Sequence, residues 1–200
     1  MLTLYHAAQS RSSRIIWLLE ELGADCDIAY VDIPRMDGSG YPDPDNPHPD
    51  KKVPALVHDG ELITESAAIV LYLTDLFPKA RIAPVAGEPG RGTYLSWLAY
   101  YTGVMEPVLN LQFMELGDHE GLKRTFRGRA ELDQRILGAL QTSDYITGDA
   151  FSAVDVIIAS LGHFIREMLP AGDLVDAYLE RCGARPALKQ ANAKDAPKAA

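Results

Sequence analysis

Lys52-Val53-Pro54-Ala55-Leu56-Val57-His58-Asp59-Gly60-Glu61-Leu62-Ile63-Thr64-Glu65-Ser66-Ala67-Ala68-Ile69 decides how this chain folds. Two short runs of strand-forming residues, 55–58 and 61–64, flank Asp59-Gly60. An Asp-Gly pair supplies the positive φ angles that a two-residue hairpin turn requires. The second run ends on Glu65-Ser66, and Ile69, Leu73 and Leu76 then recur at helical spacing until Pro78 stops them. The segment predicts two antiparallel strands and a helix.

Upstream, residues 1–5 are short and mostly apolar and read as a buried strand. Ile15, Leu18, Leu19 and Leu22 follow the i, i+3, i+4, i+7 pattern of a helix over 12–23, opened by serines and closed by Gly23. Residues 28–33 are β-branched and aromatic and end at Pro34, which predicts a second strand. The order is β-α-β followed by β-β-α, separated by an irregular, proline-rich loop over 37–50.

Downstream, residues 79–90 carry Pro84, Gly87, Pro89 and Gly90 and read as a linker. Beyond it no strand pattern recurs. Helices are predicted over 92–116, with a kink at Pro107, and over 122–140, 152–168 and 174–182. The 152–168 helix is apolar on most faces (Val154, Val156, Ile157, Ile158, Leu161, Phe164, Ile165), which places it in the centre of a bundle. The tail after Leu188, rich in Ala and Lys, reads as frayed. The expected fold class is α/β plus all-α: a domain over 1–78 with a mixed four-stranded sheet, a linker over 79–90, and an all-helical domain over 91–200.

The 200 residues carry a net charge of -9, and 47% are hydrophobic. An acidic chain lacks the basic face that nucleic acid requires. No apolar run is long enough to span a bilayer, so no membrane partner is expected. Cys26 and Cys182 are far apart and form no Cys-x-x-Cys, so both are expected to be reduced thiols in a cytoplasmic protein. The five histidines show no ligand spacing, and no metal is expected. Arg14, Arg166, Arg181 and Arg185 read as ion-pairing residues.

Three places can carry chemistry. The Ser10-Arg11-Ser12-Ser13 loop opens the first helix, where a hydroxyl either caps the helix or donates to an anion gathered at its N-terminus. Lys52-Val53-Pro54 enters a strand, where the proline either bounds the element or forms a cis bond. Glu65-Ser66 opens a helix and puts a charge and a hydroxyl beside free backbone donors, a setting that suits a ligand with both an ammonium and a carboxylate. Separately, Ser152 and Asp155 stand at the spacing of a capping box.

In this order and at these distances, the serine after the first strand, Lys52-Val53-Pro54-Ala55-Leu56, Glu65-Ser66 and Gly148-Asp149-Ala150-Phe151-Ser152-Ala153-Val154-Asp155 resemble the cytosolic glutathione S-transferase family, its bacterial, serine-type members in particular. The resemblance implies a thioredoxin-like N-terminal domain and glutathione as co-substrate. It implies that Pro54 is cis, that the Val53 backbone pairs with the cysteinyl part of glutathione, and that Lys52 meets the glycyl carboxylate. Glu65 and Ser66 would hold the γ-glutamyl ammonium and carboxylate. Ser10 falls at the catalytic position, with Tyr5 and Ser12 or Ser13 as alternatives. Serine at that position, in place of cysteine, disfavours disulfide exchange. A small hydrophobic electrophile is the expected second substrate, with Tyr101, Met105 and Phe113 as its candidate pocket, and a homodimer the expected assembly. Two alternatives stay open: a non-catalytic interaction protein, and a glutathione-dependent isomerase, dehalogenase or lyase. His48-Pro49 stands where many members have Asn-Pro, a departure near the glycyl end.

Overall fold

The computed structural model describes residues 1–195. In chain order the elements are β1 (Leu2–His6), α1 (Ser13–Leu22), β2 (Asp27–Tyr30), β3 (Ala55–His58), β4 (Glu61–Thr64), α2 (Ser66–Leu76), α3 (Arg91–Tyr100), a π-helical turn (Tyr101–Met105), α4 (Glu106–Phe113), α5 (Glu120–Phe126), α6 (Arg129–Leu140), α7 (Ala153–Phe164), α8 (Asp173–Gly183) and α9 (Pro186–Lys194), with 3-10 turns at Pro78–Ala80 and Arg166–Met168. They divide into two units. One comprises Met1–Ala80 and the described part of Arg185–Ala200, and the other is Arg81–Ala184.

In the first unit the hairpin forms as its turn dictates, with Asp59 at φ 49° and Gly60 at φ 88°. The sheet runs β2-β1-β3-β4, with β1 parallel to β2 and antiparallel to β3, and β3 antiparallel to β4. β1 alternates, burying Leu2, Leu4 and His6 on one face, with Thr3 and Tyr5 on the other. Leu4, Ile15, Ile16, Leu18, Leu56, Ile69 and Leu73 are fully buried and form the core. Gly23, at φ 61°, ends α1: its amide donates to the Glu20 carbonyl, and the next amide, that of Ala24, donates to Leu19.

α9 corrects two expectations. The tail after Leu188 is helical as far as Lys194, and this helix belongs with the sheet unit, not with the helical domain expected over 91–200. Pro197 lies outside the described residues. Its small residues Ala187 and Ala191 are buried, and α9 packs along α1. Arg185 grips Glu21 through two bonds of 2.6 Å each, and Glu21 also accepts from Trp17 Nε1 at 3.0 Å. Lys194 pairs with Glu20, and the Tyr30 hydroxyl donates to the Lys194 carbonyl at 2.8 Å. The Glu21 side chain is only 5% exposed. Arg185→Ala therefore leaves a largely buried carboxylate short of its cation. It is expected to cost about 1.5–3 kcal/mol in denaturant unfolding and to speed amide exchange throughout α9. Unchanged exchange there would show that the fork does not hold the helix.

In the second unit α7 is the hub: residues 153–159 are all buried. The capping box at its start is present. Asp155 Oδ2 accepts from the Ser152 amide and hydroxyl at 2.8 and 2.9 Å, and Oδ1 accepts from the Ile146 amide and the Tyr178 hydroxyl at 2.9 and 3.2 Å. Three predicted helices are each interrupted. The 92–116 stretch breaks into α3, the π-helical turn and α4, because Pro107 has no amide to give and its ring crowds the preceding turn. The 122–140 stretch divides at Arg127 and Gly128, where Arg127 turns to φ 67°. The 152–168 stretch ends as an α-helix at Phe164. Among the described residues no helix is long and apolar enough to cross a membrane.

Candidate active site

The strand register assembles the site. Tyr5 sits opposite Ala55, and Ala55 opposite Thr64. The end of β1, the start of β3 and the end of β4 therefore share one end of the sheet. The Ser10 loop, Val53-Pro54 and Glu65-Ser66, spread over more than fifty positions, are attached to that end. The Val53-Pro54 peptide bond is cis, and both residues are buried. Asn46 is buried beside this turn and donates its side-chain amide to the Lys52 carbonyl at 3.1 Å, while its own Oδ1 accepts from the His48 amide at 3.0 Å. The 37–50 loop is irregular, as predicted, and Asn46, through the Lys52 carbonyl, ties it to the cis-proline turn. Lys52 is exposed, whereas the Lys51 ammonium is occupied by the carbonyls of Pro44 and Asn46.

Glu65 precedes α2 at φ 69°, an uncommon conformation for a residue with a side chain, and its carboxylate is exposed. Ser66 is the first, buried residue of the helix. The Glu65 side chain does not cap α2, and a helix start of this kind presents its first-turn amides as donors toward an anion.

Ser10 is half-buried at the mouth of α1. Its hydroxyl oxygen accepts from the Ser12 amide at 3.2 Å and lies 2.7 Å from both the Ala7 carbonyl and the Ser12 hydroxyl. Ser12 is fully buried and accepts from the Ala7 amide at 3.2 Å. Ser13 turns to Asp195, 2.7 Å away. Tyr5 lies on the face of β1 opposite His6 and is half-buried. Of the hydroxyls in the loop, those of Ser10 and Ser13 are on half-buried residues and that of Ser12 is fully buried.

Two residues missed by sequence reasoning complete this cluster. His6, fully buried, has Nδ1 2.8 Å from the Ser12 hydroxyl and Nε2 3.2 Å from Asp195 Oδ1. Asp195 also accepts from the Gln9 amide at 3.1 Å. Burial raises the Asp195 carboxyl, but the His6 ring 3.2 Å away and the bonds from Ser13 and Gln9 together outweigh it and leave the group below its ordinary value, although His6 Nε2 is not aligned for a hydrogen bond. No local signal announced this pairing, since the partners are 189 positions apart by number.

The expected pocket residues belong to the second unit. Tyr101 and Met105 have no exposed surface and lie in the π-helical turn, where the Tyr101 hydroxyl donates to Glu106 at 2.8 Å. Phe113, at the end of α4, is 69% exposed. The three do not share one surface of that unit, and the Tyr101 hydroxyl is already engaged. Cys26 and Cys182 are free thiols, and burial above all pushes Cys26 up to about 11, which keeps it out of thiolate chemistry. Of the arginines, Arg185 and Arg166 form ion pairs, with Glu21 and Asp176, while Arg181 donates to the Asp144 carbonyl. Among the described residues no group of three or more potential metal ligands occurs.

Residues 1–75 match the family model for the glutathione S-transferase N-terminal domain. The chain is 42% identical over 73 residues to glutathione S-transferase 3 of Schizosaccharomyces pombe, a match covering 36% of this chain and 29% of that protein. It is 26% identical over 178 residues to glutathione S-transferase GstA of Escherichia coli, covering 86% and 88%. A glutathione S-transferase structure from Actinobacillus pleuropneumoniae superimposes with a TM-score of 0.80 at 25% identity, covering 98% of this chain and 93% of that one. A sphingomonad glutathione S-transferase complexed with glutathione superimposes with a TM-score of 0.76 at 25% identity, covering 96% and 98%. With a thioredoxin-like sheet unit and a helical unit, the chain carries a glutathione S-transferase N-terminal domain over residues 1–75 and is similar to glutathione S-transferases along nearly its whole length.

Proposed function

We propose that the chain is a glutathione transferase that ionises the glutathione thiol and directs it at a small hydrophobic electrophile. One observation carries this: the register gathers a serine hydroxyl at a helix mouth, a cis-proline turn and an acid-serine helix start at one end of a single sheet. The Val53 backbone would align the cysteinyl unit, Lys52 would meet the glycyl carboxylate, Glu65 the ammonium, and Ser66 with the first-turn amides of α2 the γ-glutamyl carboxylate.

The energetics are sufficient. A free thiol has a pKa of about 8.5, and lowering it by two units takes about 2.7 kcal/mol of selective thiolate stabilisation. One hydrogen bond to a charged group supplies about 1.5–3 kcal/mol, and a helix N-terminus about 0.3–1 more. Ser10 and the mouth of α1 provide both. The electrophile falls to the helical unit, where Phe113 is the exposed member of the three expected contacts and Tyr101 and Met105 are buried. A homodimer in the cytoplasm completes the proposal.

Retention on immobilised glutathione together with turnover of an activated aryl halide tests this. Both are expected. Retention without turnover would favour a binding module, and loss of both would remove the assignment. Ser66→Ala is expected to weaken glutathione binding by about tenfold, roughly 1.4 kcal/mol, with kcat little changed. An unchanged Kd by calorimetry would detach the γ-glutamyl end from α2.

A further inference from the structure

Ser10 does not stand alone. From its hydroxyl a continuous chain of short contacts leads inward: 2.7 Å to the Ser12 hydroxyl, 2.8 Å on to His6 Nδ1, and 3.2 Å from His6 Nε2 to Asp195 Oδ1. Ser12 and His6 have no exposed surface, whereas Ser10 and Asp195 at the two ends are partly exposed. Every link lies within the sheet unit. Ser12 is pinned by the Ala7 amide, and Asp195 by Gln9 and Ser13. The groups facing the imidazole are Asp195 after α9, Tyr30 at the end of β2, whose ring meets it edge-on at 5.5 Å, and the hydroxyl of Ser12 at the start of α1. Lys194, the neighbouring cation, is paired with Glu20, and Arg35 donates to the Ala8 carbonyl at 3.0 Å.

We propose that Ser10, Ser12, His6 and Asp195 form a proton relay that draws the glutathione thiol proton inward to His6 and, in doing so, turns the Ser10 hydroxyl outward onto the thiolate. The proposal rests on the glutathione reading above. The relay starts from the tautomer with the proton on Nε2, which lies 3.2 Å from Asp195 Oδ1 but out of hydrogen-bond alignment with it. Nδ1 then accepts from Ser12, and the Ser10 hydroxyl, which donates to the Ala7 carbonyl at 2.7 Å, must turn to the Ser12 oxygen, also 2.7 Å away. A thiol brought to Ser10 gives its proton to that oxygen. Ser10 passes its own proton to Ser12, and Ser12 passes its own to His6 Nδ1. Three bonds to hydrogen break (S–H and two O–H) and three form (two O–H and one N–H). Sulfur keeps the electron pair, and His6 becomes an imidazolium beside the Asp195 carboxylate. Each hydroxyl now points the other way, and Ser10 donates to sulfur. The proton leaves to solvent or to the departing anion once the thioether has formed.

The relay explains why a serine whose proton lies within reach of the Ala7 carbonyl can serve the sulfur: an imidazolium at the far end obliges Ser12 to donate toward Ser10 or Ala7. It also gives a purpose to a carboxylate delivered from the far end of the chain. Ser12, His6 and Asp195 do not touch the peptide. They are positioning residues that act through Ser10.

The test uses the intact wild-type chain labelled with nitrogen-15 in histidine. Adding glutathione near neutral pH is expected to convert the His6 ring from its singly protonated to its doubly protonated signature, in step with the ultraviolet absorbance of the thiolate. S-methylglutathione, which has no thiol proton, is expected to bind and leave the ring unchanged. Asp195→Asn is expected to raise the pKa of the bound thiol by about one unit, about tenfold in thiolate, with glutathione Kd unchanged. His6→Gln should act likewise, and if it does not fold, the wild-type spectrum and Asp195→Asn decide. A thiolate that forms while His6 stays singly protonated overturns the relay and leaves the glutathione site standing. Failure of glutathione to bind at all overturns the site and the relay with it.

Discussion

Ser10→Ala is expected to lower kcat/KM by about 10- to 150-fold, the equivalent of about 1.5–3 kcal/mol for a hydrogen bond to a charged group. The loss should appear in the bound-thiol pKa, which rises toward the value of free glutathione, and activity should recover as pH is raised. Tyr5→Phe, measured alongside, is expected to stay within about twofold, since Tyr5 leaves the sheet on the face opposite the His6–Ser12 cluster. The Ser10 oxygen also accepts from the Ser12 amide, so the alanine variant should lose about 1 kcal/mol of stability as well. Denaturation midpoints separate the two effects. A thiolate unchanged in Ser10→Ala would move the donor elsewhere in the loop.

The largest effect on stability is expected at Asp155, outside the site. Its carboxylate is completely buried and accepts from the Ile146 and Ser152 amides and from the Ser152 and Tyr178 hydroxyls. Asp155→Ala strands these donors and is expected to cost about 3–5 kcal/mol, read as a shift of the urea midpoint. Asp155→Asn should cost less, since its oxygen can still serve one side while its amide nitrogen confronts the donors on the other. Burial raises the carboxyl above the ordinary carboxylate value, outweighing the four hydrogen bonds. In that window the folded state holds the proton more tightly than the unfolded one. The group's contribution to stability is therefore greatest below the ordinary carboxylate range and is lost as pH rises through the folded value. The margin of wild type over Asp155→Asn should narrow over that interval, and a widening margin would reverse the assignment.

How much of this was written legibly in the chain depends on the range of each interaction. The hairpin is set by Asp59-Gly60 and its flanking runs, all local, and β3 and β4 match the expected bounds. The capping box is likewise local, with its members three residues apart. Breaks within helices were less visible. Apolar spacing continues through Arg127-Gly128, where a φ of 67° interrupts the helix. Pro107 did foretell an interruption, but the π-helical turn lies ahead of it, where the crowded carbonyls are. α9 had an overlooked sign in Pro186, a residue suited to a first helical turn, followed by Ala187, Leu188 and Ala191. What could not be read was the company of His6. Its partner Asp195 lies at the other end of the described chain, and no spacing rule reaches that far.

The placement of α9 has a consequence for how the chain is made. The serine loop near the N-terminus meets Asp195, and α1 meets Arg185, only after Arg81–Ala184 have been synthesised. At about 5–20 residues per second, that intervening stretch takes on the order of 5–20 s. For that interval a nascent chain carries a finished hairpin and strand set whose first helix still lacks its last neighbour, so the serine loop, though made before the helical unit, reaches its working arrangement after it.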